Sequence, residues 1–131
     1  MAFLEGEYMK IIEAINIVDN EKPNTYTQAD KLKWLSEVEG RIKREIIDTH
    51  KDSEGIEFSG EYTDADINKE LIVGSPYDDL YIRFMEAYID YSNGEYTKYN
   101  NSMQMFNAKF SSFETYYNRH HMPLGKHFNF F

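Results

Sequence analysis

Four carboxylates in this chain have a spacing that could do chemistry. Glu45 and Asp48 stand one helical turn apart in one stretch, and Glu86 and Asp90 one turn apart in another. Two packed helices that presented these pairs to each other could hold Mg²⁺, the arrangement of an all-α Mg-dependent nucleotide hydrolase. Surface helices carry acids at the same spacing merely to stay solvated. The paired-acid blocks that such hydrolases use are absent, so the sequence favours no metal, no cofactor and no catalytic residues.

Other candidates for chemistry are weaker. Tyr77-Asp78-Asp79 is an acidic doublet of the kind found in polymerase turns. Here it stands at an expected helix start rather than between two strands, and capping accounts for both acids. His120 and His121 are adjacent, so on a helix they point about 100° apart and do not share one metal easily. Stabilisation of a helix end is the better account. His50 and His127 would join them only through the tertiary fold. No Ser or Lys lies in a nucleophile motif, and no Gly-rich phosphate loop is present.

The elements that must position these residues are helical. From Tyr8 onward, Ile11, Ile12, Ile15 and Val18 form one face of a first helix, which should end near Asp19, before the turn Lys22-Pro23-Asn24. Thr27 is a cap for a second helix, with Asp30 three residues on. Its buried stripe is Leu32, Leu35, Val38, Ile42 and Ile46, flanked by Trp34, and it should end near Thr49. Residues 50–70 form an acidic loop in which Ile56, Phe58 and Tyr62 alternate weakly. Leu71-Ile72-Val73 is a short apolar clip behind it.

Ser75-Pro76-Tyr77-Asp78 reads as the start of a third helix. Behind it a seam runs at alternating three- and four-residue steps: Ile82, Met85, Ile89, Ser92, Tyr96, Tyr99, then Met103, Phe106, Phe110, Phe113 and Tyr117. A second stripe, Tyr77, Tyr81, Phe84, Tyr88 and Tyr91, stops at Gly94. Because the seam stays in phase across Asn93-Gly94, the spacing predicts one long helix over 75–119, bent or weakened at Gly94. Such a helix is about 65 Å long. The two shorter helices could not cover it, so part of the seam is expected to lie against another subunit. The expected fold is thus all-α: a small helical bundle with one long C-terminal helix, in a single domain over 1–131. Residues 1–8 are expected to fray, and 120–131 to make an aromatic tail.

Composition narrows the function classes. The 131 residues carry a net charge of −9, with 16% aromatics and no cysteine. Residues 48–70 hold eight acids against two lysines, while 96–131 hold Lys98, Lys109, Arg119 and Lys126 against Glu114. An acidic protein is a poor match for tight, counterion-releasing nucleic-acid binding. No apolar run approaches the roughly 20 residues of a membrane span, and no signal peptide is evident, so a cytoplasmic protein is expected.

Several phrases carry a family likeness: Lys33-Trp34-Leu35-Ser36-Glu37, Ile46-Ile47-Asp48-Thr49-His50, Pro76-Tyr77-Asp78-Asp79-Leu80-Tyr81 and Tyr99-Asn100-Asn101-Ser102. With the order of elements from Met9 to Met122, they resemble small proteins of prophage structural gene clusters in Firmicutes. The nearest described relatives of that group look like head–tail connector (adaptor) proteins of tailed phages. The resemblance implies an all-α subunit that forms a homo-oligomeric ring below the portal. It implies the portal and tail-completion proteins as partners, the host cytoplasm and then the virion as location, and no catalytic residues. The interface expected on this reading comprises Tyr96, Tyr99, Met103, Phe106, Phe110 and Phe113, with Lys109, Lys126, Phe128 and Phe130. Head-to-tail contacts between unlike patches close into rings, so the 48–70 loop of one subunit is expected to approach the basic 96–131 segment of the next. The competing readings are the Mg-dependent hydrolase and a small acidic regulatory binding protein that imitates DNA.

Overall fold

A computed structural model describes residues 7–51 and 55–124. Four α-helices follow one another: α1 (Ile11–Glu21), α2 (Gln28–Glu45), α3 (Asp79–Ser92) and α4 (Tyr96–His120). Short 3-10 turns occupy Ile47–Thr49 and Asp64–Asp66, and two isolated bridges, Lys10 with Glu70 and His50 with Pro123, are the β-type pairings among the described residues. The fold is therefore an all-α bundle with a long C-terminal helix.

The first two helices form where their sequence predicts. α1 buries Ile11, Ala14, Ile15 and Val18. Its free N-terminal N–H groups find unexpected acceptors: Ile11 donates to the Lys69 carbonyl and Ile12 to the Ile67 carbonyl, both at 2.9 Å. The acidic loop thus acts as a cap for α1, supplying orphan helix donors with partners. The clip that follows it is tied down by Leu71 N–H donating to the Met9 carbonyl. α2 begins with the expected capping box, in which Thr27 Oγ1 accepts from Asp30 N–H and Asp30 Oδ2 from Thr27 N–H, each at 3.1 Å. It ends at Glu45, and the 3-10 turn carries the chain on to Thr49.

The single long helix over 75–119 is not formed. The chain reverses at Asn93-Gly94-Glu95, and α3 and α4 make an antiparallel hairpin. Ring pairs record the register: Tyr91 with Tyr96 and Tyr99, Phe84 with Phe106, and Tyr77 with Phe113 and Tyr116. The reversal has a local cause. Glu95 N–H donates to the Asp90 carbonyl and Gly94 N–H to the Tyr91 carbonyl, while Gly94 adopts φ +77°. That is a Schellman termination, which calls for a residue in the left-handed region that glycine enters without a Cβ penalty.

The helix start also differs from the expectation. Ser75 does not cap α3; its backbone N–H donates to the Glu7 carbonyl and its Oγ accepts from Glu7 N–H. α3 begins at Asp79, after turns closed by Leu80 and Tyr81 N–H on the Tyr77 and Asp78 carbonyls. Gly74 lets the two segments meet there, because a Cβ would stand 2.9 Å from the Glu7 carbonyl oxygen and from the Tyr8 ring.

One hydrophobic cluster unites all four helices and includes Ile11, Val18, Leu35, Ile42, Met85 and Phe106. The hairpin explains why two short helices suffice: α3 covers α4, with Tyr77, Phe84 and Tyr91 of the second stripe meeting the seam of α4.

Candidate interaction surface

Each of the four acids of the metal reading is engaged by a different cation. Arg41 Nε lies 3.2 Å from Glu45 Oε2, and Lys43 Nζ lies 2.5 Å from Asp48 Oδ1. Arg83 donates to Glu86 at 2.8 Å and also to Asp79 at 2.9 Å. Asp90 is fully buried, with Lys22 Nζ on Oδ1 at 2.7 Å and Ser102 Oγ donating to Oδ2 at 3.1 Å. Burial raises the Glu86 carboxyl above the ordinary range and the nearby Glu21 adds to this, while Arg83 pulls it back. Among the described residues, no group of three His, Asp or Glu is arranged to hold a metal ion.

The histidines behave as helix-end residues. His120 and His121 bring Nδ1 to the Tyr116 and Tyr117 carbonyls, at 2.8 and 3.1 Å. The tertiary fold places buried His50 next to this end. Its Nδ1 lies 2.6 Å from the Ile46 carbonyl, its Nε2 lies 2.8 Å from Asn118 Oδ1, and its ring packs edge-on against Tyr117. Two backbone bonds, Lys51 N–H to the Met122 carbonyl and Leu124 N–H to the Thr49 carbonyl, fasten the end of α4 to the end of α2.

A polar centre that the sequence reading missed lies in the core. Glu39 is fully buried and accepts three hydrogen bonds: Tyr62 Oη at 2.6 Å, Tyr81 Oη at 2.5 Å and Ile72 N–H at 3.0 Å. Tyr81 Oη in turn accepts Val73 N–H at 2.9 Å. Burial raises the Glu39 carboxyl, and the three donors offset part of that rise. The network joins α2 and α3 to the loop, so its role is positioning. The signal was available: Glu39 completes a run at 32, 35, 39, 42 and 46, the same three-and-four rhythm that buries its apolar neighbours.

The expected interface residues divide into two sets. Phe106, Phe110 and Phe113 are buried inside the subunit, so they are core rather than contact surface. Their assignment to an interface followed from the uncovered long helix, which the hairpin removes. Tyr96 is 59% exposed, while Tyr99 and Met103 are half-buried. Lys109 is half-buried, and its charge acts on Asp78. Lys126, Phe128 and Phe130 lie outside the described residues. In the acidic loop, Asp66 pairs with Lys69 and Asp64 accepts from Gln28.

What remains at the surface is an aromatic corner at the hairpin tip. Tyr91, 56% exposed, packs against Tyr96 and Tyr99. A groove of about 360 Å³ leads from it between α2, α3 and α4, past Phe84, Tyr88, Tyr99 and Met103 to Arg41. Three features fix its walls. Trp34 stacks on Tyr88, centroids 5.1 Å apart and planes 8° apart. Tyr88 Oη donates to Glu37 at 2.5 Å, and burial followed by this carboxylate pushes the phenol up to about 12. The Arg41 guanidinium lies 4.6 Å from the Phe110 ring centroid, a cation–π contact that presents the cation to the groove. An apolar cleft with one cation and a carboxylate at its side suits an aromatic side chain of a partner.

A scan of protein-family models matches none of them to this chain, and comparisons with curated proteins and with solved structures find no significant match. No helix among the described residues is long and apolar enough to cross a membrane.

Proposed function

We propose that this chain is a non-catalytic assembly subunit of a phage or prophage particle, a head–tail connector (adaptor) protein that forms a ring below the portal. The observation that carries the reading is the exposed Tyr91–Tyr96 corner with the groove behind it. Tyrosines in the open beside an apolar cleft are the composition of a contact surface. The net charge of −9 suits a conduit through which duplex DNA must pass without sticking. The resemblance of the 33–37, 46–50, 76–81 and 99–102 phrases to prophage structural proteins points the same way. The hydrolase alternative is less well supported, since its four acids are each engaged by a different cation.

Co-expression with the portal protein of the same gene cluster tests the reading. The expected result is a ring of this chain bound to the portal, visible by electron microscopy and weakened by Tyr91→Ser with Tyr96→Ser. A portal that forms without bound copies of the wild-type chain would sink it, as would normal joining of heads to tails after deletion of the gene.

A further inference from the structure

The outer face of α4 carries no charge. Between Lys98 and Arg119 every exposed position of the helix is Asn, Gln, Ser, Thr, Ala or Met. The two charged residues in that span, Lys109 and Glu114, are half-buried on its flanks. A solvated helix face is ordinarily dressed with charged side chains, and α2 follows that habit, with Lys33, Glu37, Arg44 and Glu45 exposed. The outer face of α4 is also filled largely by Asn, Ser and Thr, which are poorer helix formers than Lys, Glu or Ala. Neither solvation nor helix propensity therefore accounts for it. Along its middle run Asn101, Gln104, Ala108, Ser111 and Thr115, at three- and four-residue steps, the rhythm of a helix that lies against another helix. Among the described residues, the four polar side chains of this run make no hydrogen bond within the subunit. The face is distinct from the groove, which takes Tyr99 and Met103 from α4.

We propose that the outer face of α4 pairs with the same face of a second copy of this chain, antiparallel across a two-fold axis at Ala108. The chemistry of the face argues against other occupants. Nucleic acid is held by cations, and the face has none. A charged protein surface would find no opposite charge there, and an apolar one would meet only Met105 and Ala108. What the face matches is a neutral surface of hydrogen-bond donors and acceptors, and it is one itself. An amide and a hydroxyl each both donate and accept. Reversal about Ala108 sets Asn101 opposite Thr115 and Gln104 opposite Ser112, an amide against a hydroxyl each time. The small Ala108 at the centre lets the two backbones approach. Charge favours the same place. Two copies of net charge −9 repel each other, and a neutral face brings no like charges into contact. A patch that meets itself makes an isologous contact. The paired span, Asn101 to Thr115, is about 21 Å long. It excludes the Tyr91–Tyr96 corner at the hairpin tip, so this contact goes beyond the ring reading and does not rest on it.

The chain has no cysteine, so one introduced thiol reports one position. Two packed helices bring the Cα atoms on a shared axis to about 5 Å, within the reach of a disulfide. Full-length Ala108→Cys, oxidised with diamide, is expected to form a covalent dimer at least tenfold faster than Lys33→Cys, on the exposed face of α2, at equal concentration. Gln104→Cys and Ser112→Cys should each cross-link slowly alone and rapidly when mixed, which reads the antiparallel register. Sedimentation of the wild type should show a dimer that grows with concentration. Ala108→Glu, at an exposed position, should weaken that dimer at least tenfold, and mixing it with Ala108→Lys should restore the pair. Circular dichroism checks that each variant is folded. Equal cross-linking at 108 and 33, a wild type that stays monomeric up to millimolar concentration, or a dimer indifferent to Ala108→Glu overturns the proposal. Rapid self-cross-linking at both 104 and 112 overturns the antiparallel arrangement, since it indicates a parallel pair. A wild type that is monomeric but loses portal binding on Ala108→Glu assigns the face to another protein and likewise overturns the self-pairing.

Discussion

Tyr81 Oη donates to Glu39 Oε1 across the α2–α3 interface, and both side chains are fully buried. The same oxygen accepts Val73 N–H, so one hydroxyl binds the carboxylate to the clip that follows the acidic loop. Tyr81→Phe would strand two buried groups at once. Each costs about 1–3 kcal/mol, so a loss of roughly 2–6 kcal/mol is expected in urea denaturation. A loss under about 0.5 kcal/mol would show that the network does not hold the loop.

Glu39 also sets a pH dependence. Its folded-state carboxyl is raised above the ordinary value by burial. Its protonated form is therefore the one favoured by folding, and its contribution is fully present below the unfolded value of about 4.3. That contribution is lost as pH rises through the folded value. The stability of wild type relative to Glu39→Gln should decline from pH 4 upward and level off once the folded carboxyl has ionised. A difference that is flat with pH, or one that grows, would contradict the assignment.

Gly94 distinguishes the hairpin from a continuous helix by sign. In a helix interior, Gly94→Ala would stabilise by up to about 1 kcal/mol. At φ +77° it should destabilise by about 1–2 kcal/mol, because alanine is strained in the left-handed region. Guanidinium unfolding of the single variant measures the sign directly.

The two sets of seam residues should separate stability from assembly. Phe106→Ala removes a fully buried ring and should cost about 3–5 kcal/mol. Tyr96→Ser, on an exposed ring, should fall within about 0.5 kcal/mol of wild type while weakening ring formation on the portal. If both variants unfold alike, the corner at Tyr96 is structural and not a contact surface.

The paired acids give an expectation about metal. Mg²⁺ at millimolar concentration should leave the thermal midpoint where an equal ionic strength of NaCl leaves it, because binding to the folded state alone would raise it. Glu45→Ala with Asp48→Ala should produce no loss of nucleotide turnover, there being none expected in the wild type. Magnesium-dependent turnover that disappears in that double variant would instead restore the hydrolase reading.

Local pattern was enough for the helices themselves. Thr27 and Asp30 cap α2 as their types require, and the apolar steps through Ile11, Ile15, Leu35 and Ile42 place those side chains in the core. These features depend on residues within one turn of each other, and helical periodicity records them in the sequence. The direction of the chain after Tyr91 was not legible in the same way. A seam in phase across Asn93-Gly94 fits either one bent helix or two helices folded face to face, since both leave the stripes on one side. Only the Schellman bonds to Asp90 and Tyr91, with the packing of Phe84 on Phe106, decide for the hairpin. That decision moved Phe106, Phe110 and Phe113 from surface to core and left Tyr91 and Tyr96 outside. Glu39 is the same kind of case. An acid on a charged helix looks solvated until Tyr62, Ile72 and Tyr81, between 23 and 42 residues away in sequence, close over it. Sequence spacing carries one-sidedness within an element, but burial of a polar group depends on which distant donors arrive, and that is a property of the assembled fold.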